Sequence, residues 1–157
     1  MKVYFWMIGK TSEAYLKSGT ELSIKRLGHY LPFSCEVIPD IKNSGKKTPG
    51  QLKELESKAI LNRLKPDDYL ILLDEKGKTF TSIEFSRHLD RSLQRPQRRL
   101  IFLLGGAFGF NKTIYQRANE KLSLSSMTFS HQMIRVFFLE QLYRAMTILR
   151  NEPYHNE

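Results

Sequence analysis

The sequence predicts an α/β fold with a mainly parallel sheet flanked by helices, and three observations carry that prediction. Apolar runs of strand length recur along the 157 residues, among them "KVYFWMI", "YLILLD" and "RLIFLLGG". These runs are apolar at almost every position instead of every second one, as strands covered on both faces are. Segments with helical spacing of apolar residues separate them, and strands that alternate with helices build a parallel sheet. At this length the chain is expected to form one domain spanning 1–157 around a continuous core.

In chain order, "KVYFWMI" is short, aromatic and β-branched and stops at Gly9, which makes it the first strand. A helix is expected from Glu13 to Leu27, with Gly19 as a point of interruption, because glycine costs a helix interior about 1 kcal/mol relative to alanine. "FSCEVIP" alternates as a second strand, and "DIKNSGKKTPG" has the composition of a mobile surface loop. Thr48 and Pro49 suit a helix start, cap and first turn, with Leu52, Leu55 and Ala59 on the apolar face. "YLILLD" is the next buried strand, closed by a turn at "DEKGK". Thr81 and Glu84 have capping-box spacing ahead of a helix in which Phe85, Leu89 and Leu93 repeat, and which stops before Pro96. "RLIFLLGG" is a strand, "NKTIYQRANE" a short helix, "KLSLSS" the last strand, and His131 to Arg150 a long final helix. Apolar side chains surround nearly all of that helix, more than one sheet face covers, so a two-fold partner presenting the same helix is expected.

Lys and Arg number 25 against 16 Asp and Glu, a formal net charge of +9. That balance concentrates polyanions and makes nucleic acid the leading partner. Cys35 is the only cysteine, which excludes an intrachain disulfide and a cysteine-built zinc centre and suits a reducing cytoplasm. No metal is expected. No apolar run has the length of a membrane span, and "VYFWMI" is too short for a secretion signal, so a cytoplasmic location without a membrane partner is expected.

Two loops combine polarity with position. "LLGGAFGF" puts Gly105, Gly106 and Gly109 between a strand and a helix, where backbone without β-carbons can approach a ligand. It lacks the G-x-G-x-x-G spacing of a dinucleotide site, and a tight turn is the plainer account. Ser123, Ser125, Ser126 and Thr128 crowd the end of the last strand, as in an irregular loop that turns N–H and C=O groups towards a ligand, while Ser130 suits a helix cap. Both loops leave the carboxyl ends of buried strands, the side of an open α/β sheet where ligands sit. Arg87, Arg91 and Arg95 recur every four residues and Arg98 and Arg99 follow, a ridge that reads as a solvated face or as a track for phosphates. Lys42, Lys46 and Lys47 read the same two ways. His131 and its i+4 neighbour Arg135 share a helix face and offer a titratable nitrogen and a fixed charge to one substrate. Arg144 follows Glu140 by four, the spacing of a helix-stabilising pair.

The stretches "LLDEKGKTFTSIEFSRHL", "FLLGGAFGF", "LSLSSMTFSHQMIRVFFLEQLYRAMTI" and the terminal "PYH" together resemble the bacterial RlmH family, SPOUT-class methyltransferases. The resemblance spans essentially the whole chain. It implies a SPOUT-type sheet whose carboxyl-terminal part is threaded into a deep trefoil knot, an exception to the rule that chains avoid knots. It also implies a homodimer, and S-adenosyl-L-methionine held at Leu73, Gly105, Gly106 and the loop Ser125, Ser126, Met127, Thr128, Phe129 and Ser130. The implied product is N3-methylpseudouridine in helix 69 of 23S ribosomal RNA, made on assembled ribosomes. Many members carry proline where this chain has Ser130.

From these positions the expected catalytic residues are Arg135 for charge stabilisation or phosphate contact and His131 as base or hydrogen-bond partner. Tyr154 and His155 are expected to close over the uridine-like base, and Arg144 to face the site of the opposite subunit. The arginine ridge suits ribosomal backbone better than base edges, so recognition of shape is expected. A non-catalytic ribosome-associated RNA-binding protein and a nicotinamide-dependent oxidoreductase are the rival readings.

Overall fold

The computed structural model describes residues 1–156. Strands β1 (Lys2–Ile8), β2 (Phe33–Ile38), β3 (Tyr69–Thr79), β4 (Arg99–Leu104) and β5 (Glu120–Ser123) alternate with helices α1 (Ala14–Leu27), α2 (Pro49–Arg63), α3 (Ser82–Leu93), α4 (Lys112–Arg117) and α5 (Met133–Leu149). The strands form one parallel sheet in the order β2-β1-β4-β3-β5. Central β1 and β4 run apolar on both faces because helices cover both. Val3, Phe5, Met7, Phe102 and Leu104 pack with Leu27 of α1, Phe85 and Leu89 of α3 and Phe138 and Leu142 of α5. Alternate residues Trp6, Ile8, Leu72, Ile101 and Leu103 pack with Ile60 of α2 and Ile114 of α4. Phe138 sits between Phe5 and Phe102, with centroids 4.7 and 4.9 Å away, and anchors α5 to the middle of the sheet.

Both threonine caps form complete capping boxes, Thr48 with Gln51 and Thr81 with Glu84. Four features depart from the sequence-based expectations. Helix α1 runs unbroken through Gly19, because tertiary packing against α5 outweighs the intrinsic cost of one glycine. The buried face of α2 is Leu52, Glu56, Ser57 and Ile60, with Leu55 and Ala59 only half-buried. Its polar members meet the loop after β4: the Ser57 hydroxyl donates to Asn111 at 3.0 Å. "DEKGK" does not end β3. The strand runs on through it to Thr79, and both Leu73 and Lys78 register with Leu122 of β5, so the residues between them form a bulge. Helix α5 starts at Met133, with His131 and Gln132 in a turn. Ser130 does cap it, its hydroxyl accepting from the Met133 N–H at 3.1 Å and its carbonyl from the Ile134 N–H at 3.1 Å.

The arginine ridge is thinner than its spacing suggests. Arg99 turns inward to a bidentate pair with buried Asp68, at 2.7 and 2.5 Å. Arg95 lies over the Tyr69 ring at 4.3 Å and 3.8 Å from Glu120. Arg87, Arg91 and Arg98 remain exposed.

Candidate functional site

The carboxyl ends of β3, β4 and β5 open into a cavity of about 550 Å³, within the size range of small-molecule sites. Leu73, Leu104 and Leu122 form its floor, and the loops after β4 and β5 form its walls. Leu73, Gly105, Gly106, Ser125, Met127, Thr128, Phe129 and Ser130 all line it; Ser126 lies in the same loop without lining it. The glycine loop closes with a Gly109 N–H bond to the Gly106 carbonyl at 3.1 Å, and Gly109 takes φ +77, a left-handed value that favours glycine. At Gly106 the constraint is space: a β-carbon would stand 2.7 Å from the buried Glu56 carboxylate. Burial and the neighbouring Asp40 charge raise the Glu56 pKa.

The hydroxyls of the second loop first fold the loop itself. Ser123 donates to the Ser125 carbonyl at 2.8 Å, and the Ser125 hydroxyl accepts from the Met127 N–H at 3.0 Å. Met127 is left 74% exposed over the opening. Several lining residues were not among the expected site residues. Asp74, in the bulge of β3, accepts from the Tyr115 hydroxyl of α4 and from the Lys76 N–H at 2.8 Å. Burial and this bond push the Tyr115 phenol well above its ordinary pKa. Lys53 reaches the rim from α2, and Glu75 accepts from Thr128 at 3.3 Å. Only the polarity of "DEKGK" hinted at these groups, and a surface turn accounts for that polarity equally well.

His131 lines the cavity, but Arg135 does not join it. The Arg135 side chain is 0% exposed and donates to the carbonyls of Ile8 at 2.7 Å, Gly9 at 2.8 Å and His131 at 3.2 Å, and to the Thr11 hydroxyl at 3.2 Å. The pairing of β1 with β4 stops at Met7, so the carbonyls of Ile8 and Gly9 need other donors, and a buried guanidinium supplies them. Burial, followed by the charge of Arg135, holds the His131 pKa below its ordinary value.

Arg144, Tyr154 and His155 assemble away from this cavity. Arg144 pairs with Glu140 at 2.7 Å, the spacing-based expectation, and also meets His155 Nδ1 at 3.1 Å. The Tyr154 hydroxyl donates to Glu140 at 3.0 Å. Glu140, which the sequence marked only as the helix partner of Arg144, is the hub of this group. It also lines a smaller cavity of about 280 Å³ that shares Leu122, Ser123, Leu124, Ser125 and Phe129 with the larger one. One loop thus separates the two clusters of expected residues.

Residues 1–155 match the family model described as "Predicted SPOUT methyltransferase". The chain belongs to this family. Among relatives of this SPOUT methyltransferase, a protein of Parabacteroides distasonis named ribosomal RNA large subunit methyltransferase H is 54% identical over 100% of both chains. One of the same name from Cytophaga hutchinsonii is 53% identical over 99% of this chain and 100% of its own. A solved structure described as a probable methyltransferase from Bordetella pertussis matches with TM-score 0.55 at 15% identity, covering 92% of this chain and 96% of that one, which shows a shared fold. Among the described residues, no helix is long and apolar enough to cross a membrane, and no group of three or more His, Cys, Asp and Glu residues is arranged to hold a metal ion.

Proposed function

We propose that this SPOUT methyltransferase uses S-adenosyl-L-methionine to methylate N3 of a pseudouridine in helix 69 of 23S ribosomal RNA, on assembled ribosomes in the cytoplasm. The observation that carries the reading is the cavity at three adjacent strand ends, bounded by the glycine and serine loops, in a chain whose near relatives are named ribosomal RNA large subunit methyltransferase H. The donor set fits the cofactor. Gly105 and Gly106 line the cavity without side chains, in places where a β-carbon would press on Phe110 or Glu56, and Ser125, Met127, Thr128, Phe129 and Ser130 line the facing wall. When bound, the cofactor supplies an activated methyl group on a sulfonium.

What remains for the chain is to orient the acceptor, exclude water and manage the N3 proton. His131 lies at the cavity with a lowered pKa, so at neutral pH its free nitrogen is available to accept a hydrogen bond or that proton. Arg135 is a positioning residue: bonded to the His131 carbonyl and to the end of β1, it fixes where the histidine stands. Arg144, Tyr154 and His155 serve a two-fold partner's cavity, Tyr154 stacking on the base and Arg144 stabilising developing charge. Exposed Phe129 and Phe137, which share a small cavity with Glu140 of this cluster, are the apolar surface a second copy covers in the homodimer. The trefoil knot implied by the resemblance belongs to the same reading.

Mass analysis of ribosomal RNA from a strain lacking the gene, with and without complementation, tests the whole reading. Loss of one methyl from the helix 69 fragment, restored by the gene, is expected; an unchanged mass rejects it. Calorimetric titration with S-adenosylmethionine, S-adenosylhomocysteine and NAD separates the rivals. A non-catalytic RNA-binding protein binds none of them, and an oxidoreductase binds NAD.

A further inference from the structure

The carboxyl-terminal tail completes a second surface that runs from Tyr154 to residues to which the transfer step gives no role. Three tyrosine rings run in a row, Tyr30 against Tyr143 at 5.7 Å and 80°, and Tyr143 against Tyr154 at 4.9 Å and 76°. Each ring carries a guanidinium: Arg150 over Tyr30 at 4.9 Å, Arg26 over Tyr143 at 5.5 Å and Arg144 over Tyr154 at 4.7 Å. The ends of the row are pinned, because the Tyr30 hydroxyl donates to Glu152 at 2.6 Å and that of Tyr154 to Glu140 at 3.0 Å. Arg150 also donates to the Tyr30 carbonyl at 3.1 Å. Arg26 and Arg150 are exposed, and among the described residues neither has a carboxylate within ion-pair distance, whereas Arg144 has Glu140.

Two cations oriented on aromatic faces and left without counter-charge have most of their N–H donors unspent. Ring stacking has already limited their rotamers, so little entropy is lost when those donors meet an anion. The Tyr30 and Tyr143 rings are half-buried against the core, so they orient the guanidinium groups, and cations held in this way on a surface are the chemistry that meets nucleic-acid phosphates. We infer that Arg26 and Arg150 bind phosphates of the ribosomal RNA nucleotides flanking the methylated one, so that the tyrosine row is a docking lane leading to Tyr154. This inference rests on the proposed function, which sets the acceptor base at Tyr154.

Wild type, Arg26→Gln, Arg150→Gln and the double variant are titrated against ribosomes purified from the deletion strain at several salt concentrations, and methyl incorporation is followed in parallel. Each phosphate that is no longer neutralised lowers the slope of log affinity against log salt by about 0.7, so the slope of the double variant falls by about 1.4. Its affinity deficit then narrows about sevenfold between roughly 50 and 200 mM salt. KM for ribosomes rises while kcat and S-adenosylmethionine affinity stay at wild-type values, and Arg→Lys at both positions restores the slope. Arg26→Gln alone touches no backbone hydrogen bond and keeps the test valid if Arg150→Gln unfolds the tail. An unchanged slope and KM in a double variant, measured where wild type methylates normally, overturns the lane alone. Weaker binding with an unchanged slope overturns it as well, by assigning these arginines to a protein surface. If wild type itself leaves the ribosomes unmethylated, the proposed function is what fails.

Discussion

Replacing Gly77 by alanine tests whether the bulge in β3 shapes the cavity. Leu73 and Lys78 both register with Leu122, and Gly77 lies against the backbone where that shift occurs. A β-carbon at 77 would stand 2.6 Å from Leu122 N, 2.6 Å from the Lys121 carbonyl carbon and 2.7 Å from that of Leu122, against 3.4 Å for ordinary contact. The shortfall is about 0.8 Å, and it is owed by backbone on both sides, so no rotamer relieves it. Overpacking of this kind costs about 1–3 kcal/mol. For a chain of this size that lowers Tm by about 2–12 °C. The segment pushed away carries Leu122 and Ser123, both in the cavity wall, and the bulge carries Asp74. To the extent that the strain is relieved by opening the cavity, affinity for S-adenosylmethionine falls, at the limit by about 5- to 150-fold. Calorimetric titration and a thermal melt measure the two effects, with Gly45→Ala, where nothing lies within 4 Å, as the control. A Gly77→Ala protein that melts and binds like the control refutes the role given to the bulge.

Arg135→Met leaves the carbonyls of Ile8 and Gly9 buried without that donor and should destabilise the fold by about 2–6 kcal/mol in urea titration; a change below about 1 kcal/mol would deny it a positioning role. Tyr115→Phe removes a charge-assisted bond to Asp74 worth about 1.5–3 kcal/mol, and calorimetry should register at least a tenfold loss of S-adenosylmethionine affinity if Asp74 must be held for binding. Because the folded-state pKa of His131 lies below its ordinary 6.5, the unfolded chain binds more protons between the two values. Stability is therefore full above about pH 6.5 and falls as pH drops through the lowered value, a slope that His131→Gln should flatten in urea titrations from about pH 5 to 8. His131→Ala and His155→Ala should lower methyl transfer while cofactor affinity holds; wild-type rates in both would remove histidine from the mechanism.

Local chemistry made most of the architecture legible. The continuous apolar runs at Lys2–Ile8 and Arg99–Leu104 could only be strands buried on both faces, and the caps at Thr48 and Thr81 place two helix starts to the residue. The two loops that wall the cavity were also visible, because their glycines, serines and position after strands are properties of neighbouring residues. Asp74, Tyr115 and Glu56 were not, since each owes its place at the site to a partner more than 40 residues away in Tyr115, Asp74 or Gly106.

Arg135 and Gly19 show the division most clearly. By itself the sequence determined the alternation of strands and helices, the cationic balance and the small and polar residues that leave backbone open at the strand ends, since these depend on residue type and short-range spacing. Only the tertiary structure decided that Arg135 turns away from the cavity to the carbonyls of β1, that α1 passes through Gly19 unbroken, and that "DEKGK" continues a strand. In each case contacts from a distant segment supply the deciding free energy: unpaired carbonyls, the packing of α5 on α1, the edge of β5. Spacing along the chain does not encode which distant partner will arrive.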